Sequence, residues 1–241
     1  MKISNLGPNI WYYENAIPES KKFISLLNEN NDNERITSII PKWSTWMDGG
    51  PKKDDYSQWN QIGSPMGEDK FIDWDRTLNG FGKIWPKIQP NSDAHTEAYE
   101  ILKLIDIPFN EVIEHYWSTR PKLPKLNYVS KNYPVRKYNT GASMGAHIDI
   151  NKYSPSMDIS ILIYLNDDYT GGEIYFNDLN LKIKPTAGSI LIFTCNHLHE
   201  SLRIESGNKL YIPMFVHSEY GIITGFREEY SAMLPLIKNK K

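Results

Sequence analysis

The sequence predicts a mainly β fold with flanking helices (α+β), built as a jelly-roll core with an N-terminal helical layer. Two observations predict it. From Leu126 onward, short apolar runs recur at roughly ten-residue spacing, divided by turns rich in Gly, Asn and Asp, which is the texture of a sandwich or small barrel. Before that point the texture is mixed, with two helical patterns, long loops and all seven tryptophans. The expectation is one domain over 1–241, with 1–125 supplying strands, helices and a candidate lid, and 126–241 the jelly-roll core.

The elements follow in order. "IWYYEN" reads as a short strand. "PESKKFISLLNE" predicts a helix with Pro18 in its first turn and Phe23, Leu26 and Leu27 on one face. The stretch Pro41 to Asp75, rich in Gly, Pro, Asp and Trp, has no sustained period and reads as long loops with brief strands. It is the candidate lid, although its tryptophans equally suit packing between the two halves. "SDAHTEAYEILKLI" predicts a helix capped by Ser92 or Asp93. A second helix follows in "PFNEVIEHYW", with Val112, Ile113 and Tyr116 on one side. The strands of the β half are "YPVRKYN", "GAHIDI", "DISILIYLN", "GEIYF", "LKIKP", "GSILIF" and "KLYIPMFVH". The turns between several of them are "DDYTGG", "NDLN", "TAG" and "ESGN".

Composition narrows the function classes. Hydrophobic content of 40% and charged content of 23% are those of an ordinary globular chain. A net charge of -2 gives no global pull toward nucleic acid or acidic lipid. The single cysteine, Cys195, excludes an internal disulfide and suits a reducing compartment. The start of the chain lacks the apolar core of a signal peptide, and no run approaches membrane-spanning length. A cytoplasmic protein is the expectation.

Chemistry concentrates in the β half. In "GAHIDI", alternation along a strand would project His147 and Asp149 the same way, and Ile148 and Ile150 the other. Taken alone, the pair is as ordinary as a surface histidine beside a solvated aspartate. A second cluster, "CNHLHES", offers His197 and His199 as competing third ligands. Two histidines and one carboxylate suit Fe(II) and leave three octahedral positions open, enough for a bidentate 2-oxo acid and oxygen; zinc can use the same ligands. A 2-oxo diacid also needs a fixed cation for its distal carboxylate, since an unpaired buried charge is costly. Lys209 opens the strand "KLYIPMFVH", where pairing with the His199 segment would carry an ammonium toward the metal.

Together these motifs resemble the Fe(II)/2-oxoglutarate-dependent dioxygenase family, in its prolyl 4-hydroxylase-like branch. "YNTG" gives Tyr138 and Gly141, "HID" gives His147 and Asp149, and "HESLRIESGNK" sets Lys209 ten residues after His199. The resemblance spans Tyr138 to His217 and is weak in the N-terminal half. It implies a double-stranded β-helix (jelly-roll) fold, with Fe(II) held by the catalytic residues His147, Asp149 and His199. The ten-residue spacing assigns His199 rather than His197 as the ligand and leaves His197 a neighbour on the rim. The resemblance further implies a 2-oxoglutarate site of Lys209 and Tyr138, with Ser160 where the family often has a threonine near the co-substrate. O2 would be consumed, and ascorbate is a possible reductant.

For the substrate, the resemblance implies hydroxylation of a peptidyl proline. Met144 and Met157 stand where the branch carries a tyrosine and an arginine, which predicts a softer, less polar wall. Phe215 and His217 stand where it has a tryptophan and a histidine, and are expected across the pocket from the methionines. The alternatives are a small-molecule hydroxylase or nucleic-acid demethylase of the same superfamily, and a non-catalytic metal-binding jelly-roll module. A demethylase would want a basic groove that the charge balance does not offer. A mere scaffold needs neither Tyr138 nor Lys209.

Overall fold

The computed structural model describes residues 1–35, 44–45, 67–73, 93–119, 126–129, 132–150 and 157–218. In chain order they form β1 (Lys2–Gly7), β2 (Ile10–Glu14), α1 (Ser20–Glu29), β3 (Ser44–Thr45), β4 (Gly67–Asp73), α2 (Asp93–Ser118), β5 (Leu126–Val129) and β6 (Asn132–Tyr138). There follow β7 (Met144–His147), β8 (Met157–Tyr164), β9 (Thr170–Gly171), β10 (Ile174–Phe176), β11 (Leu181–Ile183), β12 (Ile190–Thr194), β13 (His199–Ser201), β14 (Ile204–Ser206) and β15 (Lys209–Ser218). Of the 41–75 stretch, only the backbone of β3 and β4 falls within these residues. The lid expectation lies outside them.

The protein is mainly β, and its eight core strands divide between two sheets. β6, β8, β12 and β15 belong to a large sheet ordered β1-β2-β12-β8-β15-β6-β4-β3, with β5 also on β15. β7, β10, β11 and β13 form a smaller sheet ordered β11-β10-β13-β7. The chain therefore passes repeatedly from one sheet to the other, which is the winding of a jelly roll. The hairpin β1–β2 extends the large sheet through β12, so the first residues belong to the same layer as the core.

Alternation gives the large sheet two different faces. Val135, Ile159, Ile161, Ile163, Ile190, Ile192, Leu210, Ile212, Met214 and Val216 share one apolar cluster with the helices α1 and α2. Tyr138, Tyr164, Leu191, Phe193 and Tyr211 point the other way and pack with Ile174, Phe176 and Ile183 of the smaller sheet. A cavity between the sheets is thus lined by alternate residues of each large-sheet strand.

The helices depart from the sequence expectation in two places. α1 begins at Ser20, so Pro18 precedes it rather than opening it. α2 is one helix of 26 residues running through Pro108, not two. An internal proline removes one helical hydrogen bond and costs about 3 kcal/mol. Against that cost, Ala98, Ile101, Leu102, Ile105, Phe109, Val112, Ile113 and Tyr116 keep one unbroken buried stripe on both sides of the proline. Pro108 itself lies off this stripe, beside the half-exposed Ile107. Tertiary burial outweighs the local signal.

Phe109 follows the proline directly and is fully buried. Phe109→Ala is expected to lower unfolding stability by about 3 to 5 kcal/mol, the usual range for emptying such a site. Urea denaturation of the variant checks it. A loss under 1 kcal/mol would mean that the second half of α2 is not anchored in the core.

Candidate active site

The antiparallel pairing of β13 with β7 sets His199 directly opposite His147. Their rings lie 4.4 Å apart, centroid to centroid. The Nδ1 of His147 is 2.8 Å from the carbonyl oxygen of Gly145, and the Nδ1 of His199 is 2.9 Å from that of His197. A carbonyl only accepts, so both Nδ1 atoms carry the proton and both Nε2 atoms keep a lone pair. Asp149 completes the set, with Oδ1 3.4 Å from His147 Nε2 and Oδ2 3.7 Å from His199 Nε2. One ligand atom from each residue lies within 4.8 Å of the others, the span a single metal ion can bridge. The sequence reading put His147 and Asp149 on one strand. In the structure β7 ends at His147, and Asp149 lies in the bend that follows, its N–H donating to the carbonyl of Cys195 at 3.1 Å.

The electrostatics suit metal ligation. Burial works against the charge on Asp149, but His199, His147 and the hydroxyl of Ser160 outweigh it and hold the carboxyl below its ordinary range. Burial likewise opposes protonation of His147, yet the hydrogen bond and charge of Asp149 raise its pKa on balance. His199 is more deeply buried and its pKa moves down, keeping the ring neutral.

A cavity open to solvent at its mouth, about 520 Å³ when that open space is counted, runs from these ligands to Lys209. Met144, Leu162, Tyr164, Ile174, Tyr211, Pro213 and Phe215 give it apolar walls, and Arg136 and Ser201 add polar groups. Lys209 is 2% exposed and has no carboxylate within ion-pair distance among the described residues. Its ammonium donates to the carbonyl of Gly172 at 2.8 Å and to Ser201 Oγ at 3.0 Å. Burial, aided by repulsion from Lys184, brings its pKa down to about 7. Lys209 reaches the site from the facing sheet, since β15 pairs with β8, β6 and β5 and not with β13 as expected.

The remaining sequence candidates fall in distinct places. Tyr138 is buried beside Lys209 in the β6–β15 register, edge-on to Tyr211 at 5.2 Å, and does not line the cavity. Ser160 is buried outside the lining and bonds Asp149 Oδ2 and Cys195 Sγ. Met144 and Phe215 both line the cavity. The side chains of Met157 and His217 lie outside the described residues, but their backbones are register partners on β8 and β15. Adjacent strands of one sheet carry them, where the expectation set them on opposite sides of the pocket. His197 is not on the rim: it is buried, with Nδ1 2.8 Å from Asp178 Oδ2 and Nε2 2.8 Å from the carbonyl of Pro8.

Two residues escaped the sequence reading. Tyr164 lines the cavity with its hydroxyl buried and without a hydrogen-bond partner among the described residues, 5.3 Å from Lys209 Nζ to ring centroid. Counting by twos from Ser160 along β8 would have put it on the inner face. Asn166 clamps the backbone on both sides of Lys209, accepting from Leu210 N–H at 2.6 Å and donating to Asn208 O at 2.7 Å. No strand pattern signals it.

The residues present fit Fe(II) and a 2-oxo diacid. The three converging ligand atoms suit the metal. The buried ammonium of Lys209 and the hydroxyl of Tyr164, at the other end of the same cavity, suit a distal carboxylate.

Residues 133–217 match the 2OG-Fe(II) oxygenase superfamily. Within this segment lie His147, Asp149, His199 and Lys209. Among curated relatives, a PKHD-type hydroxylase of Prochlorococcus marinus is 32% identical over 142 residues, covering 56% of this chain and 62% of the relative. A PKHD-type hydroxylase of Shewanella is 24% identical, covering 66% of this chain and 72% of the relative. The chain spans half to three fifths of the length of the first two Prochlorococcus relatives it matches. Among solved structures, a viral collagen prolyl hydroxylase from Paramecium bursaria Chlorella virus-1 superposes with TM-score 0.53 at 18% identity, covering 88% of this chain and 97% of that one. A prolyl hydroxylase from Trichoplax adhaerens superposes with TM-score 0.55 at 14% identity, covering 88% and 85%. These two likenesses establish the shared fold.

Two outcomes are expected of metal titrations. A proton on His147 competes with the metal, and its pKa is raised. Apparent Co(II) affinity should therefore fall with decreasing pH by up to about tenfold per unit, beginning above the ordinary histidine value of about 6.5. His197→Ala removes two buried hydrogen bonds but no ligand atom. It should cost about 1 to 3 kcal/mol of stability and leave Co(II) affinity within a few fold of wild type. Loss of Co(II) binding in a folded His197→Ala protein, with binding retained in His199→Ala, would reverse the ligand assignment.

Proposed function

We propose that this chain is an Fe(II)- and 2-oxoglutarate-dependent dioxygenase that hydroxylates a C–H bond, most favourably on a peptidyl proline. The observation that carries the reading is one cavity with a His-Asp-His cluster at one end and a buried ammonium lacking a carboxylate at the other. His147, Asp149 and His199 would hold the iron. Lys209 and Tyr164 would take the distal carboxylate of 2-oxoglutarate, with Tyr138 packed behind them. When bound, iron and 2-oxoglutarate supply the oxidising chemistry, in which O2 is reduced while 2-oxoglutarate goes to succinate and CO2 and the substrate gains a hydroxyl.

The chain's own task is holding and shielding. The Nδ1 contacts orient both histidines and leave both Nε2 atoms beside Asp149. The apolar walls exclude water and strengthen the Lys209 contact. Met144, Leu162, Pro213 and Phe215 offer the substrate a surface that a pyrrolidine ring can pack against. The hydroxylase names of the curated relatives support the activity. A single domain over the chain, in the cytoplasm, belongs to the same proposal. Its supports are the joining of β1 and β2 to the core sheet and the one buried free cysteine. No helix among the described residues is long and apolar enough to cross a membrane.

The test is succinate formation by the iron-loaded protein, alone and with a panel of proline peptides. Succinate formation that depends on both Fe(II) and 2-oxoglutarate is expected, and its absence at every condition would overturn the reading. Lys209→Ala should raise the 2-oxoglutarate requirement at least about a hundredfold, as loss of one partner of a buried pair costs about 3 kcal/mol or more. Binding a dianion must also return a proton to Lys209 above its pKa of about 7. The 2-oxoglutarate affinity of wild type should therefore weaken as pH rises past that value, by up to about tenfold per unit. A flat profile from pH 7 to 9 would remove Lys209 from the co-substrate site.

A further inference from the structure

Two of the three ligands sit on paired strands, but Asp149 does not. It lies two residues beyond the end of β7, where no ladder fixes its side chain. What fixes it is a group of ties to the ends of β8 and β12. Its N–H donates to the carbonyl of Cys195 at 3.1 Å, and the N–H of Cys195 donates to the carbonyl of Asp158 at 3.0 Å. Its Oδ2 accepts from the hydroxyl of Ser160, which is itself 3.0 Å from Cys195 Sγ. Ser160 and Cys195 are both fully buried.

The direction of this chain of bonds is determined by inventory. A carboxylate only accepts, so the one proton of Ser160 points at Asp149. The serine oxygen is then the acceptor, and the thiol of Cys195 must donate to it. We infer that Cys195 and Ser160 form a positioning relay, thiol to hydroxyl to carboxylate, which aims Asp149 at the metal and makes Ser160 act through that ligand rather than by touching the co-substrate. The inference rests on the reading of His147, Asp149 and His199 as a metal site. An ordinary buried strand serine would leave the metal's affinity untouched.

The test uses the full chain with Co(II) as probe, titrated by calorimetry, beside the thermal unfolding of the metal-free protein. Ser160→Ala is expected to weaken Co(II) binding by about 10- to 100-fold, as removing the partner of a metal ligand does, with metal-free unfolding shifted by only a few degrees. Ser160→Thr keeps the hydroxyl and should restore affinity to within about threefold of wild type. Cys195→Ala leaves the serine oxygen without its donor and should weaken binding by a smaller factor, about three- to tenfold. Wild-type Co(II) affinity in Ser160→Ala would overturn the inference. So would a variant whose only change is a raised 2-oxoglutarate requirement. If Ser160→Ala does not fold, an unchanged affinity in Cys195→Ala overturns the relay. Failure of the underlying reading looks different: wild type would not bind Co(II), or His199→Ala would bind it equally well.

Discussion

Strand β15 separates two environments, and the site depends on its register. Lys209, Tyr211, Pro213 and Phe215 face the cavity, while Leu210, Ile212, Met214 and Val216 face the helix-side core. A slip of one residue against β8 would drive an ammonium among aliphatic side chains and turn a leucine toward the cavity. Asn166 guards against this at the strand's first residues. It binds the backbone of Asn208 and Leu210, so Lys209 is held at the centre of a two-point clamp. The opposite end is fixed by pairing with both β8 and β5.

The same position is where the fold gives up stability. A lysine whose pKa is brought to about 7 by burial is one that the folded chain holds less readily as a cation than the unfolded chain does. Its two partners are neutral, the carbonyl of Gly172 and the hydroxyl of Ser201. Gly172 is constrained in turn: its φ is +66°, and a Cβ there would meet Ile204 Cδ1 at 2.3 Å. A side chain here would be strained by the positive φ and would require Ile204 to shift, so glycine suits the "TGG" turn that supplies this carbonyl. Neutral acceptors solvate the ammonium without neutralising it, which leaves its charge for a dianionic ligand.

Most of the β half was legible because its strands are long enough to show alternation and its turns carry Gly, Asn and Asp. β13 (HES), β14 (IES) and β9 (TG) are short and mostly polar, unlike the short but mostly apolar β10 and β11, and β1 is too polar to suggest a strand. The pairing of β13 with β7, which aligns the two histidines, is a long-range fact that no local pattern carries. Lys209 was legible as a cation for the site but not by the route it takes, because sheet assignment depends on winding rather than sequence distance. His197 looked like a rim residue, although Asp178 and Pro8, the partners that bury it, lie 19 and 189 residues away. Ser160 drew attention for its place in the motif, while its contact with Asp149 comes from a bend that strand alternation could not foresee. Pro108 misled for the opposite reason: a strong local signal was overridden by burial along the whole of α2.

Pro213 ties these constraints together. Proline has no N–H to give a ladder, and it is ordinarily confined to sheet edges. β15 nonetheless carries it mid-strand, with β8 alongside. On its other side the register with β6 runs from Lys209 to Tyr211, and that with β5 from Val216 to Ser218. Pro213 sits in the interval between them, where no strand among the described residues pairs with that side. A residue with no N–H to pair suits that interval. The ring this puts in the cavity, beside its register partner Leu162, stiffens the wall between the Lys209 end and Phe215. A wall fixed at both ends and stiffened between them holds the ammonium and the His-Asp-His cluster at opposite ends of one cavity.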